Sequence, residues 1–280
     1  MAALFQHPLL ATECSEFDQG AHAVALALAA RLSQPLQVVL PLVSNAEYEA
    51  VAPALAARAE AQLRERSELL LQQARACGIT LDVRARRGPE IYAEIIAQAQ
   101  HSSSDLLIIR RRGQRSFLAN LLVGEMVSKV VAHAPCPVLV CPREARLWAR
   151  GVMVGIDPLV TMPSLLSQAM AVAQDSRLPL HVVSVATDGT RRPLAEAAVA
   201  AAVHEARRGG VAAEGEARTG RPHEALLAAA RDRGCDVLVI ARHGPQALSR
   251  AWIGGVAQKV IGLAECPVWI HIPQLATSAS

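Results

Sequence analysis

The stretch that decides the fold is DVLVIARHGPQALSRAWIGGVAQKVIGLAECPVWIHIP, residues 236–273. An altered copy, DLLIIRRRGQRSFLANLLVGEMVSKVVAHAPCPVLVCP, occupies residues 105–142. Both copies run from an acid through an apolar strand, an Arg-containing turn with Gly, a helix and a second Gly. Both then end in a Val-rich helix and a Cys-Pro-Val strand, and the earlier copy has one extra residue between its glycines. The chain therefore contains an internal duplication.

Each copy closes a longer repeating order of elements. Residues 7–16 and 150–159 read as short strands that end in an acid, Glu13 or Asp157. The β-branched runs 35–43 and 179–186 read as the next strands. The predicted helices include residues 18–32, 46–77, 163–176 and 193–208.

Each half thus reads as five strands that alternate with helices. Short connections between alternating elements require a parallel sheet with helices on both faces. We therefore predict an α/β fold with two tandem, doubly wound, five-stranded parallel sheets. The polar stretch 142–151 is the linker, so the predicted domains are residues 1–145 and 146–280.

Composition limits the class of protein. Apolar residues make up 52% and aromatic residues 3% of the 280 residues, which suits helices packed on a buried sheet. A formal net charge of +3 is too small to indicate a nucleic-acid partner. There is no basic, apolar leader, and no apolar run approaches the ~18 residues that span a bilayer. We expect a soluble, cytoplasmic protein with no membrane partner.

Cysteines and histidines do not form a metal motif. The six cysteines stand singly, without a CxxC pair, and the nine histidines include no HExxH pair. Cys136 and Cys141 fall on one predicted strand, where alternation sends them to opposite faces. We interpret them as small buried hydrophobic residues and expect no metal site.

The duplicated residues resemble the universal stress protein family in its tandem two-domain form. That family reads G-x-x-G, nine residues, then G-S/T, followed by a Val-rich helix and a final strand similar to CPVLVV. Nine residues also separate Gly244 from Gly254 in ARHGPQALSRAWIGG, residues 241–255. The resemblance covers nearly the whole chain and implies the Rossmann-like fold of the family.

The resemblance also implies a site for ATP or a related adenine nucleotide in the C-terminal half. Asp157 takes the place of the acid that recognises adenine or ribose, and Val185 takes a position that lines the adenine pocket. Ligands of open α/β sheets bind beyond the carboxyl ends of the strands, where glycines and a helix N-terminus can approach phosphate. The predicted site residues are Asp157, Val185, Ala241, Arg242, His243, Gly244, Gly254, Gly255, Val256 and Ala257.

The C-terminal copy departs from the family pattern at three positions. Ala241 stands for the first glycine, while Gly255 and Ala257 stand where the pattern has hydroxyl-bearing residues. Each missing hydroxyl removes a hydrogen bond of ~1 kcal/mol. Arg242 and His243 are either replacement donors or parts of a solvated turn.

The N-terminal copy departs further, and we expect no nucleotide there. Glu125 replaces the Ser/Thr, and two unit charges ~4 Å apart repel by ~4 kcal/mol at an effective dielectric constant of 20. Glu13 is one methylene longer than the usual acid, and Pro41 stands at the adenine-lining position. Seven arginines surround this site: Arg84, Arg86, Arg87, Arg110, Arg111, Arg112 and Arg115. They bind another anion, or they pair with Glu13 and Glu125 in a structural network.

Three classes of function remain at this point. The first is a regulatory stress-response module that binds an adenine nucleotide in its C-terminal half and acts on an unidentified regulatory protein. The alternative is a structural or adaptor protein in which both sites have decayed. An adenylating or nucleotide-hydrolysing enzyme needs a general base or a pair of metal-binding carboxylates near the glycine turn, and none is visible. We therefore expect no enzymatic activity.

The two final strands suggest how the halves associate. CPVLVCP (136–142) and CPVWIHIP (266–273) are β-branched and nearly uncharged, and such edges aggregate when they are left open. Pairing them with each other makes the chain an intramolecular pseudo-dimer, which the linker favours. Further association into a homodimer is left open.

Overall fold

A computed structural model of the chain describes residues 5–44, 50–51, 53–111, 124–242 and 253–273. The described residues form two compact units, which divide between Leu147 and Trp148. We call them the N-terminal unit and the C-terminal unit. The predicted domain boundary after residue 145 lies two residues before this division.

The N-terminal unit alternates strands with helices. Its strands are β1 (Pro8–Ala11), β2 (Leu36–Val43), β3 (Leu81–Gly88), β4 (Leu106–Arg110) and β5 (Val138–Cys141). Its helices are α1 (Gln19–Leu32), α2 (Pro53–Ala76), α3 (Ile91–His101) and α4 (Glu125–His133), with a 3₁₀ turn at Glu16–Asp18. The strands pair in parallel in the order β3-β2-β1-β4-β5.

The C-terminal unit repeats this arrangement. Its strands are β6 (Val152–Ile156), β7 (Leu180–Ala186), β8 (Ala213–Thr219), β9 (Val237–Ala241) and β10 (Val268–His271). Its helices are α5 (Pro163–Ser176), α6 (Arg192–Arg208), α7 (Pro222–Asp232) and α8 (Gly255–Leu263), with a 3₁₀ turn at Gly189–Arg191. The strands pair in parallel in the order β10-β9-β6-β7-β8. The predicted fold class, two tandem five-stranded parallel sheets, is confirmed.

The strand registers show that the two units are copies. Leu9 faces Gln37 across β1 and β2, as Met153 faces His181 across β6 and β7. Counting along the strands from these pairs places Glu13 at the position of Asp157.

Strand composition follows strand position in the sheet. Residues of β4 (LLIIR) and β7 (LHVVSVA) are buried throughout, because helices cover both faces of a parallel sheet. The edge strand β8 reads AEGEART and is largely solvent-accessible. No further strand pairs with β8 within its unit, and its charged side chains disfavour pairing of this edge with strands of other molecules.

The direction in which successive strands are added to the sheet reverses at the central strand, β1 or β6. In the C-terminal unit the chain passes from β6 to β7 on one side and later returns to β9 on the other. The connections that follow β6 and β9 therefore diverge, and they leave a crevice beyond the carboxyl ends of these strands.

One local prediction is corrected by the structure, and another is confirmed in its described part. Cys136 lies before β5, so Cys136 and Cys141 do not share a strand. Both are buried, as predicted, and burial raises the pKa of the Cys136 thiol to about 12. The helix predicted over residues 46–77 is confirmed over Pro53–Ala76, Ala50 and Val51 are also helical, and residues 46–49 and 52 lie outside the described residues. None of the described helices is long and apolar enough to cross a bilayer.

Candidate functional site

A cavity of about 510 Å³ opens beyond the carboxyl ends of β6, β7 and β9 in the C-terminal unit. Its walls come from the segment 155–163, the end of β7, the helices α6 and α7, and the start of α8. This is the switch-point crevice of the sheet, and its volume falls within the range of small-molecule sites.

Most of the predicted site residues line this cavity. Those that do are Asp157, Val185, Ala241, Arg242, Gly254, Gly255, Val256 and Ala257. They come from four separate segments of the chain, which the fold brings together. His243 and Gly244 lie outside the described residues.

The first turn of α8 forms one end of the cavity. Gly254 is the N-cap, and its N–H donates to the carbonyl oxygen of Arg242 at 3.0 Å. Its own carbonyl accepts from the N–H of Gln258 at 2.9 Å, which closes the turn. A Cβ atom added to Gly255 would meet no atom within 4 Å, so the space beside the helix N-terminus is open. An open helix N-terminus favours an anion.

Arg242 adds a positive charge to this end. Its backbone N–H donates to the carbonyl oxygen of His271 at 3.1 Å, which continues the β9–β10 pairing past the end of β9. Only 8% of the residue is exposed, and burial lowers the pKa of its guanidinium. A guanidinium keeps its proton in proteins, so the cavity wall contains a poorly hydrated cation.

Asp157 holds the rim where β6 ends. Its Oδ1 accepts a hydrogen bond from the N–H of Leu159 at 2.9 Å. Such a bond to the backbone two residues on makes an Asx turn, which restricts the carboxylate to the cavity edge. Asp157 is exposed and remains accessible to the hydroxyl or amino groups of a ligand.

Apolar side chains form the floor between these polar ends. Val185 is buried at the end of β7, near Leu226 of α7 and Ile240 of β9 in the cavity wall. A Cβ atom at Gly155 would lie 2.9 Å from Leu226 Cδ2 and 3.3 Å from Ile240 Cγ2. The missing side chain at Gly155 therefore lets Leu226 approach the sheet.

Sequence reasoning missed the wall that α6 contributes. Ala198, Ala201, Ala202 and Glu205 of this helix line the cavity, together with Arg191 just before it. The four helical positions follow the i, i+3, i+4, i+7 spacing of a single helix face. That spacing was available in the sequence, but small alanines do not distinguish a cavity wall from an ordinary helix contact.

The equivalent crevice of the N-terminal unit is occupied by Arg110. Its side chain is 6% exposed, and its guanidinium donates to Glu13 Oε2 at 2.7 Å, which confirms the predicted pairing of these two residues. It also lies 3.4 Å from Asp18 Oδ2 and donates to the hydroxyl of Ser15. Asp18 was not anticipated as a partner. It is buried in the 3₁₀ turn, where it also accepts the Ser15 N–H at 2.7 Å.

The described partner of Glu125 is Lys129, and since Arg112 and Arg115 lie outside the described residues, the predicted pairing of the arginines with Glu125 stays a prediction. The Glu125 carboxylate lies 3.0 Å from Lys129 Nζ, one helical turn along α4, and is 82% exposed. The other described arginine pairs of this cluster are Arg84 with Asp82, Arg86 with Glu94, and Arg87 with Glu60. An exposed, partly neutralised carboxylate also repels an anion less than the ~4 kcal/mol expected at a dielectric constant of 20. Arg110 therefore opposes nucleotide binding in the N-terminal unit more strongly than Glu125 does.

Of four histidines with a shifted pKa, His181, His223 and His271 are buried and His22 is half-buried. Burial lowers the pKa of His22, His181, His223 and His271. His271 Nδ1 lies 2.9 Å from Gln168 Oε1 and Nε2 lies 3.0 Å from Ser164 Oγ, so both ring nitrogens have neutral hydrogen-bond partners. His22 Nε2 lies 2.7 Å from Thr12 Oγ1. Among the described residues, His, Cys, Asp and Glu side chains form no group that could hold a metal ion.

Two doubly wound parallel sheets, one with a switch-point cavity between a helix N-terminus and a rim carboxylate, define a tandem protein of the Rossmann-like class. A sequence model described as the universal stress protein family matches residues 5–142 and 149–271. The chain belongs to the universal stress protein family and contains one domain of that family in each half.

Solved structures share this architecture at low sequence identity. A universal stress protein from Archaeoglobus fulgidus is 20% identical, with 97% of this chain and 99% of that chain covered, at a TM-score of 0.74. A functionally unknown protein from Pseudomonas aeruginosa PAO1 is 19% identical, with 98% and 95% covered, at a TM-score of 0.67. A shorter universal stress protein, solved in complex with cAMP, is 22% identical over 45% of this chain and 97% of its own, at a TM-score of 0.37. The first two likenesses concern the fold.

Proposed function

We propose that the protein is a regulatory stress-response module that binds an adenine nucleotide, ATP or a related one, in its C-terminal unit and does not turn it over. One observation carries this proposal: eight predicted site residues from four segments line a single cavity at the switch point of the C-terminal sheet. Family membership supports it because the family's nucleotide pattern places its residues at these positions.

Each part of a nucleotide has a matching part of the cavity. The apolar floor around Val185 and Leu226 suits a purine ring, and Asp157 at the rim can accept hydrogen bonds from ribose hydroxyls. The helix N-terminus at Gly254 and the buried cation Arg242 suit the phosphates. Binding without turnover is proposed because the described residues that line the cavity include no histidine, and their two carboxylates, Asp157 and Glu205, belong to no metal-binding group.

The N-terminal unit is proposed not to bind nucleotide. Arg110 fills its crevice and is held by Glu13 and Asp18, so a ligand would have to break two ion pairs. The nucleotide would then act on one half of a duplicated chain, and the other half would be structural or would contact a regulatory protein.

Calorimetric titration of the full-length chain with ATP tests the proposal. We expect a dissociation constant in the micromolar range or weaker, since the two phosphate-facing hydroxyls are absent. Asp157→Ala should weaken binding, because it removes the rim carboxylate. Glu196→Ala, an exposed acid of α6 outside the cavity, is the matched control and should bind like the wild type. Absence of both heat and thermal stabilisation at millimolar ATP would exclude nucleotide binding and would favour the adaptor alternative.

A further inference from the structure

Part of the cavity wall is not used by the nucleotide contacts proposed above. Met162, Leu165 and Leu166 at the start of α5 and three alanines of α6 line it away from the Gly254 end. We call this part the α5–α6 chamber, and its residues are Met162, Leu165, Leu166, Ala198, Ala201 and Ala202. These six side chains are apolar, Glu205 at the end of the same α6 face is the acid that borders them, and the alanines leave space because their side chains are single methyl groups. A wall of this kind offers an adenine nucleotide's polar groups no partner.

Exposed apolar side chains concentrate at the mouth of the same cavity. Leu159 is 58% exposed and Val256 is 41% exposed, and both line the cavity. Within the described part of the C-terminal unit, Leu194 is the other large hydrophobic residue with comparable exposure. Two of these three residues thus line the same cavity, Leu159 beyond β6 and Val256 at the Gly254 end. An apolar rim that continues into an apolar wall marks a surface that a ligand covers.

Two cations accompany this apolar surface. Arg242 is buried at the Gly254 end of the same cavity, and Arg191 lies at the α6 side, with its side chain 49% exposed and its Nε 3.7 Å from Asp188 Oδ2. An apolar wall with cations at its borders matches a molecule that has an apolar chain and an anionic head.

We propose that the α5–α6 chamber binds the acyl chain of an anionic amphiphile. Two sources share this chemistry, a free fatty acid and an acyl group carried by an adenine nucleotide. For the second source the inference rests on the proposed nucleotide site, and for the first it does not. Binding is non-covalent, and the chain lies against Leu165 and Leu166 while its head faces a cation.

Titration of the whole protein with ligands of increasing acyl-chain length tests this site. Hexanoate, octanoate, decanoate and dodecanoate are titrated below their micelle concentrations, and the matching acyl sulfamoyl adenosines are titrated in parallel. Each added methylene should tighten binding about fourfold until the chamber is full. If affinity rises with chain length in the fatty-acid series, a free fatty acid is a ligand. A slope in the adenosine series alone assigns the nucleotide-linked chain.

A matched pair of variants locates the chain. Ala201→Phe places an aromatic ring in the chamber from an exposed helix position, so folding is kept, and it should weaken the longest ligand by tenfold or more. Ala200→Phe makes the same change one residue earlier, at an exposed position outside the cavity, and should leave binding unchanged. The inference is overturned if neither series depends on chain length, or if Ala201→Phe binds the longest ligand as the wild type does.

The same variants separate this inference from the proposed function. ATP lacks an acyl chain, so Ala201→Phe should weaken the longest acyl ligand more than it weakens ATP. If wild-type protein binds fatty acids with the expected slope but does not bind ATP, the proposed nucleotide function fails and the acyl site stands. If it binds ATP without any chain-length dependence, the acyl site fails and the nucleotide function stands.

Discussion

Arg110 and Ala241 occupy the same position in the two units. Each is the last residue of the strand that lies beside the central strand, and each pairs in register with the last residue of the final strand, Cys141 or His271. A methyl group at Ala241 leaves the C-terminal crevice open, whereas a guanidinium at Arg110 fills the N-terminal one. One substitution at a strand end thus distinguishes an open crevice from one that the chain occupies itself.

We expect Arg110→Ala to destabilise the protein strongly. The change leaves the Asp18 carboxylate buried without its cation, and breaking a buried ion pair costs about 3–5 kcal/mol. Urea unfolding followed by circular dichroism measures the free energy of unfolding. Arg84→Ala is the control, because Arg84 and Asp82 are both more than half exposed, and such pairs contribute at most about 1 kcal/mol. Equal losses in the two variants would show that Arg110 has no special role.

Restoring a hydroxyl in the N-terminal unit should not create a nucleotide site there. Glu125→Ser removes the exposed carboxylate at the start of α4, but Arg110 still fills the crevice and Pro41 still replaces the adenine-lining valine. Calorimetry should therefore give one ATP per chain for the wild type and for this variant. A stoichiometry of two in either protein would contradict the self-occupied crevice.

Restoring a hydroxyl in the C-terminal unit should tighten ATP binding. The variant is Gly255→Ser. The space around the Cβ position of Gly255 is open, so the serine Oγ can point toward the phosphate end without a clash. One neutral hydrogen bond of ~1 kcal/mol corresponds to about fivefold in the dissociation constant. Gly255→Ala adds the same Cβ without the hydroxyl and separates the hydrogen bond from the change in backbone freedom. If both variants bind ATP equally, the phosphates do not lie beside Gly255.

The fold was predictable because the pattern is strong and is repeated. Apolar strands such as β4 and β9 alternate with helices at short spacing, and two copies support each other. The helix predicted over residues 18–32 is confirmed as α1, and the one over 163–176 as α5.

Pairing of the two final strands with each other remains a prediction. Val268→Asp should loosen the association of the halves in solution scattering while each fold is kept.

The site was predictable only in part. Asp157 and Gly254 stand at strand and helix ends, where sequence motifs indicate ligand contact. The pairing of Arg110 with Asp18 depends on a 3₁₀ turn that places a distant carboxylate under the strand end, and spacing in the sequence does not encode that placement. The α6 wall was not predicted, because a helix face of alanines such as Ala198 and Ala201 has no residue type that indicates a ligand site.

Acid should weaken the folded state before carboxylates titrate. Burial lowers the pKa values of four histidines in the folded chain, whereas an unfolded histidine has a pKa of about 6.5. Below about pH 6.5 the unfolded chain binds protons that the folded chain does not, so its free energy falls relative to the folded state. The stability that neutral imidazoles contribute is thus fully present above pH 6.5 and is lost progressively below it.

His271 provides the sharpest test of this pH dependence. Its ring is 5% exposed and contacts only neutral hydrogen-bond groups in Gln168 and Ser164, and burial is the cause of its lowered pKa. Urea unfolding at pH 8, 7, 6 and 5 should show a flat free energy from pH 8 to 7 and a decline below that range. His271→Gln keeps hydrogen-bonding capacity but cannot titrate, so its decline should be shallower. His204→Gln, at an exposed position of α6, should keep the wild-type slope. A wild-type slope in His271→Gln would show that this ring is protonated alike in the folded and unfolded chains.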